Sequence, residues 1–173
     1  SSALQTVDFS GYELVNQLTQ DFQFFQLFGQ TFGFDGQVIW LIPVSGTLVG
    51  QPQKIAVAQG LTLIATSPTV IYFLSSFDNS IWGFDGGRSV NKLISFNKKP
   101  TIVDGAFNTN QNTLILRTAS TVLFIRDGVV TENTAPFTPS TRYRIDNADA
   151  KPYFVKANQY SSFDYQANGT IVP

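Results

Sequence analysis

Apolar positions along the chain come in short runs rich in β-branched and aromatic residues, each closed by Gly, Pro, Asn, Asp or Ser, which is the pattern of short strands joined by tight turns. Tyr72 to Gly87 shows the unit most clearly. An apolar strand runs into a polar turn at Asp78-Asn79-Ser80, a second strand passes through Ile81 and Trp82, and Asp85-Gly86-Gly87 closes the unit. Gly33-Phe34-Asp35-Gly36 echoes Gly83-Phe84-Asp85-Gly86, which sets Phe32 against Trp82 and Gly29 against Asn79. Asp127-Gly128 repeats Asp85-Gly86, and Ser161-Ser162-Phe163-Asp164 repeats Ser75-Ser76-Phe77-Asp78. The last two spacings fit a period of about 43 residues, in the range of propeller blades.

Taken in order, residues 1–21 predict an N-terminal arm or short helix, with Ser10 as its cap, Glu13 three residues later, and Leu14, Val15 and Leu18 on one face. Four units follow, at 22–53, 54–98, 99–140 and 141–173. The first contains the aromatic run from Phe22 to Phe34, the strand Val38 to Val44 and the short piece Thr47 to Val49. The second is expected to use Ile55 to Val57, Leu61 to Ala65, Val70 to Leu74 and Ile81 to Phe84. The third is expected to use Thr101 to Val103, Asn112 to Arg117, Thr121 to Ile125 and Val129 to Thr131. The fourth is weaker, with Tyr143 to Ile145, Tyr153 to Val155 and a hairpin turn at Asn168-Gly169. The expected fold is one all-β domain of short antiparallel strands in propeller-like repeats of about 43 residues, with a β-sandwich as the alternative.

Composition narrows the chemistry. The 173 residues include no Cys and no His, which removes disulfides, thiolate sites and histidine-based triads, and leaves zinc without its usual ligands. Charged residues make up 13%, about half the usual share, aromatic residues reach 14%, and the net charge is −1. Such a surface offers no electrostatic field for direct contact with nucleic acid. No apolar run approaches the roughly 20 residues of a membrane span. With Ser at position 1 and no Met anywhere, the sequence reads as a processed product or a piece of a longer chain.

The candidate chemistry is thin. Asp35, Asp78, Asp85, Asp127 and Asp164 could ring a pocket, but Asp beside Gly or Asn is what turns require, since its carboxylate accepts from nearby backbone amides. Asp146-Asn147-Ala148-Asp149 offers calcium-type oxygens without the Gly and terminal Glu of an EF-hand loop, and a turn is the better reading. Asn168-Gly169-Thr170 has the form of a glycosylation acceptor. Trp40, Trp82, Tyr72, Tyr143, Tyr153 and Tyr160 could stack on sugars or anchor an interface. Arg142 and Arg144 flank Tyr143 at strand spacing and so share a face; together with Tyr143 and Tyr160 they are the candidate partner or glycan contacts. No catalytic, cofactor or metal residue is assigned.

From Phe22 to Thr131 the blade pattern resembles the propeller modules of virion, phage tail, nozzle and DNA-stabilising proteins. The resemblance implies a non-enzymatic structural or attachment component of a virion or phage particle, with other protein subunits as partners, further copies of this chain included. Two other classes stand beside it. One is a glycan- or protein-binding β-domain that is extracellular or faces a cell-surface glycan, and the other is a carboxylate-dependent glycoside hydrolase.

Overall fold

In a computed structural model the backbone is described for residues 22–96, 101–118 and 121–134 and for strands between 141 and 172; side chains are described as far as residue 132. The predicted helix within 1–21, the Asp146–Asp149 turn beyond Asp146 and the Asn168-Gly169 turn lie outside the described residues. What is described is all-β and antiparallel.

The first sheet is formed by β1 (Gln23–Leu27), β2 (Gln30–Phe34), β3 (Val38–Ile42) and β6 (Gln53–Val57), with the small hairpin β4 (Val44–Ser45) and β5 (Leu48–Val49) inserted before its last strand. The second runs in simple order through β7 (Leu61–Thr66), β8 (Ile71–Ser75), β9 (Ile81–Phe84) and β10 (Asn91–Ile94). The third repeats this order with β11 (Asp104–Asn108), β12 (Thr113–Arg117), β13 (Thr121–Arg126) and β14 (Val129–Thr134). The fourth has β15 (Thr141–Asp146), β16 (Lys151–Lys156) and β17 (Gln159–Ser162), and β18 (Asp164–Tyr165) pairs with β19 (Ile171–Val172). First strands meet first strands, β7 against β11 and β11 against β15.

Several boundaries differ from the sequence reading, each for a physical reason. Ile55 to Val57, expected to open the second unit, lies in β6 and closes the first sheet, where Lys54 pairs with Trp40. The first strand of the third sheet is β11 rather than Thr101 to Val103, because Val103 donates to Arg117 as a lead-in and pairing proper starts at Asp104. β10 is polar at Asn91 and Lys92 and carries a bulge, so no apolar run announces it. The Gly-Phe-Asp-Gly echo is not a structural repeat. Asp35-Gly36 joins the second and third strands of its sheet, whereas Asp85-Gly86 follows the third strand of the next. Asp127-Gly128 does follow a third strand and so is equivalent to Asp85-Gly86. The four sheets open at residues 23, 61, 104 and 141. That makes the structural period about 40 residues, within the range of repeat architectures.

Turn chemistry sets the registers. Asp127 (φ 52°) and Gly128 (φ 76°) form a two-residue hairpin loop with both residues left-handed, as does Phe28 (φ 51°) with Gly29 (φ 74°). An aromatic residue in that conformation is uncommon. Between the sheets lie two apolar cores. The first packs Phe25, Phe32, Phe34 and Ile39 of the first sheet on Ile71, Phe73 and Phe84 of the second. Edge-on ring contacts tie it together, with Phe84 5.2 Å from Phe32 and Phe34 5.1 Å from Phe73. The second core joins Ala65 and Ile81 to Leu114, Leu116, Leu123 and Ile125 of the third sheet. A sheet covered on both faces needs apolar residues at successive positions, and this explains the unbroken runs Leu114–Leu116 and Val122–Ile125.

Candidate functional site

Two constellations recur at equivalent places in the first two sheets. Asp35 sits in the turn between second and third strands, Trp40 in the third strand and Lys54 opposite it in the fourth. Asp78, Trp82 and Lys92 hold the same places in the second sheet. In the first sheet the Asp35 carboxylate accepts from the amides of Gln37 (2.8 Å) and Val38 (2.7 Å) and from the Trp40 indole N–H (3.0 Å). In the second, the Trp82 N–H donates to Ser80 Oγ (2.9 Å), the Ser80 hydroxyl donates to Asp78 Oδ1, and Lys92 Nζ reaches Asp78 Oδ2 at 3.1 Å while lying 5.7 Å from the Trp82 ring centre. Each turn is thereby tied to the middle of its sheet.

The electrostatics agree with a turn-locking role. Burial pushes the Asp35 carboxyl up, but the Trp40 N–H and the amides of Val38 and Gln37 outweigh it, and the net shift is downward. Asp78 is held well below the usual carboxylate range by the Ser80 hydroxyl and amide and then by Lys92. A group whose folded pKa is lowered adds stability that is fully present above its unfolded value, about 3.9 for Asp, and loses it as pH falls through the folded value. Asp35→Asn is therefore expected to lower stability by about 1–2 kcal/mol at pH 7, with the gap to the unmodified chain narrowing below about pH 4. Urea unfolding at a series of pH values reads this directly, and a gap independent of pH would mean that the charge contributes nothing.

Asp85 also acts as a turn acceptor, taking the Gly87 amide at 3.1 Å. Among the described residues no three His, Cys, Asp or Glu side chains gather as a metal site would require. Also among the described residues, no helix is long and apolar enough to cross a membrane.

The candidate contacts of the fourth sheet are placed by register alone. Arg142 falls in one row with Val155 and Tyr160, Arg144 in a row with Tyr153 and Ser162, and Tyr143 in a row with Phe154 and Ser161. Arg142 and Tyr160 are thus brought to one row and Tyr143 to another; their side chains lie outside the described residues. The Asp–Trp–Lys constellation escaped the sequence reading because Trp82 was set against Phe32. The signal that would have found it is the pair of tryptophans itself, each shortly after a turn aspartate.

Exposed apolar side chains gather at one turn end of the first sheet. Phe28, 67% exposed at the tip of the β1–β2 turn, stands over Gly86 of the second sheet, where an added Cβ would lie 3.7 Å from its ring. Val44 and Leu48 of the β4–β5 hairpin are also exposed. A groove of about 260 Å³ runs between Gly29 and Val44, floored by Thr31, Ile42 and Pro43. Such an arrangement has contact area and little chemistry.

No protein-family model matches the chain, and no curated protein matches it. Among solved structures it is similar to a structural genomics protein of unknown function from Bacteroides thetaiotaomicron VPI-5482, at 13% identity and a TM-score of 0.45, over 79% of this chain and 48% of that one. The chain spans about half the length of that protein.

Proposed function

We propose that the chain is a non-enzymatic structural or attachment component of a larger assembly, a virion or phage particle, and that it binds protein through the turn end of its first two sheets. The observation that carries this reading is the apolar rim at Phe28, Val44 and Leu48 beside the groove. Apolar residues scattered singly on a surface are ordinary, but several exposed at the same turn end of a sheet are how interfaces are marked. The left-handed backbone at Phe28 holds the ring outward in a conformation that non-glycine residues seldom adopt. Low charge and the resemblance of the blade pattern to virion and phage tail modules support a particle as the setting.

The test is a photo-crosslinking residue in place of Phe28, with the chain expressed in its source and the particles purified by density. A discrete adduct to one particle protein is expected. Absence of the chain from purified particles would reject the reading. A glycan-binding β-domain is the alternative, favoured by the half-buried Trp40 and its Asp35 and Lys54 neighbours. It requires saturable glycan binding that Trp40→Ala abolishes and Phe28→Asp spares. A glycoside hydrolase, the third reading, would have to find its carboxylates outside Asp35 and Asp78, which are engaged as turn acceptors.

A further inference from the structure

Asp-Gly dipeptides occur among the described residues at Asp35-Gly36, Asp85-Gly86, Asp104-Gly105 and Asp127-Gly128. Such a pair closes on itself when the glycine nitrogen attacks the aspartate Cγ, because glycine has no side chain to hinder the approach. The five-membered ring needs that nitrogen and Cβ on one side of the Cα–C bond, which for an L residue means ψ of about −120°. With φ negative, this ψ falls outside the well-populated regions. With φ of about +60° it is the first central position of a type II′ turn. Asp127 alone of the four has positive φ, at 52°, and Gly128 follows at 76°. A flip of the peptide plane between them converts this left-handed pair into type II′ and leaves the strands in place, since both are two-residue hairpin turns. Gly128 accepts either sign of φ, and nothing lies within 4 Å of the position its Cβ would take.

The other three are held away from this geometry. The Asp35 carboxylate is taken up by the amides of Gln37 and Val38 and by the Trp40 N–H. Asp85 accepts from Gly87, and Gly86 lies under Phe28. Asp104 accepts from the Gly105 amide itself at 2.9 Å, but Gly105 is wedged inside β11 against Leu116 and Ile64. Asp127 is exposed, and among the described residues neither its carboxylate nor the Gly128 amide has a hydrogen-bond partner. Asn79 and Asn112 share the left-handed backbone, but the amides that would attack there belong to Ser80, which donates to Asp78, and to Thr113, which is buried in β12.

We propose that Asp127-Gly128 is a site of spontaneous covalent modification, at which the folded chain converts aspartate to isoaspartate through a cyclic imide. The Gly128 nitrogen bonds to Asp127 Cγ, and the hydroxyl of the protonated carboxyl leaves as water with the amide proton. Water then opens the ring. Breaking the bond from nitrogen to Cγ restores aspartate, and breaking the bond from nitrogen to the main-chain carbonyl carbon leaves Gly128 attached through Cγ as isoaspartate. Water is the only co-reactant. The isoaspartyl main chain runs through Cβ and Cγ and is one atom longer. A loop of two residues holds Arg126 opposite Val129, and Arg126 reaches back to Thr113 Oγ1 at 3.0 Å. Loop length selects the turn, so the longer main chain no longer fits this register and the β13–β14 hairpin is loosened. The proposal is independent of the function proposed above.

The test is to hold the full 173-residue chain at neutral pH and physiological temperature for some weeks, folded in one sample and in urea in another. Peptide mapping by mass spectrometry that distinguishes isoaspartate from aspartate then reads each dipeptide separately, and keeps Asn168-Gly169, which forms the same imide, apart from the rest. In the folded chain isoaspartate is expected to form at Asp127 about tenfold faster or more than at Asp35, Asp85 or Asp104, a barrier difference of about 1.4 kcal/mol. In urea the four rates should converge, because each aspartate is followed by the same residue. Asp127→Asn keeps a side chain that tolerates the left-handed backbone and should form the imide faster, with loss of ammonia. Equal rates at the four sites in the folded chain, isoaspartate at Asp127 only in urea, or no imide chemistry in folded Asp127→Asn would each overturn the proposal.

Discussion

Phe84→Ala is expected to lower stability by about 4 kcal/mol, the usual cost of emptying a large aromatic site in a core. For a domain of this length that corresponds to a fall in Tm of about 10 °C or somewhat more. Phe84 is fully buried, and its ring lies 5.2 Å from Phe32 and 6.0 Å from Phe25, edge-on to both. Those two rings are themselves stacked at 5.5 Å, so the cavity would open between two sheets and not within one. Strand pairing offers no way to close it, because Phe84 pairs with Ile71 in its own sheet and meets Phe25 and Phe32 only through the core. Thermal and urea unfolding followed by circular dichroism would read the loss. A change below about 1 kcal/mol would mean that the first and second sheets do not share this core, since surface substitutions fall in that range.

Strands β7, β8, β9, β12 and β13 were legible because Leu61–Ala65, Ile71–Leu74, Leu114–Leu116 and Val122–Ile125 are β-branched, aromatic or leucine-rich runs closed by turn residues. β10 was not, because an outer strand facing solvent at Asn91, Lys92 and Leu93 has no periodicity to show. The grouping of strands into sheets was misread at Gln53–Val57 for a related reason. A strand separated from its partner by the Pro43–Gly50 hairpin looks like the start of something new, yet it returns to pair with β3. The Asp–Trp–Lys constellation was written in the sequence at Asp35, Trp40, Asp78 and Trp82 and was overlooked because the spacing from Asp to Trp differs by one residue, five positions against four. The longer Gly-Phe-Asp-Gly match drew the alignment away from the true equivalence. Exposure of Phe28 and Phe24 could not be read at all. It depends on which sheet faces are left uncovered, and pairing between distant segments decides that.

The approach of the first strands to one another leads to the other large effect. Gly105 lies in β11, opposite Leu116, where β11 meets β7 of the preceding sheet. A Cβ added there would stand 2.8 Å from Leu116 Cδ2, 3.0 Å from Ile64 Cγ1 and 3.4 Å from the Ile64 carbonyl oxygen. Leu116 is fully buried and the carbonyl belongs to the backbone, so neither can swing aside as an exposed side chain would. Gly105→Val, with two further methyl groups in that space, is expected to cost about 3 kcal/mol, at the upper end of overpacking effects. Gly83→Ala is the contrasting case. Its added Cβ would come within 2.5 Å of Leu93 Cδ1 and 3.0 Å of Val70 Cγ1, but Leu93 is 50% exposed on an edge strand and can turn away, and half-buried Val70, outside the strands, need give only a few tenths of an ångström. Its cost should stay within about 1 kcal/mol, because the strain is relieved by a rotamer change at a solvated side chain. The order of the two losses is the informative result. If Gly83→Ala proved the more damaging, the tight point of the fold would lie at the outer strands; the expected order places it where β7 and β11 meet, at the line along which successive sheets are joined.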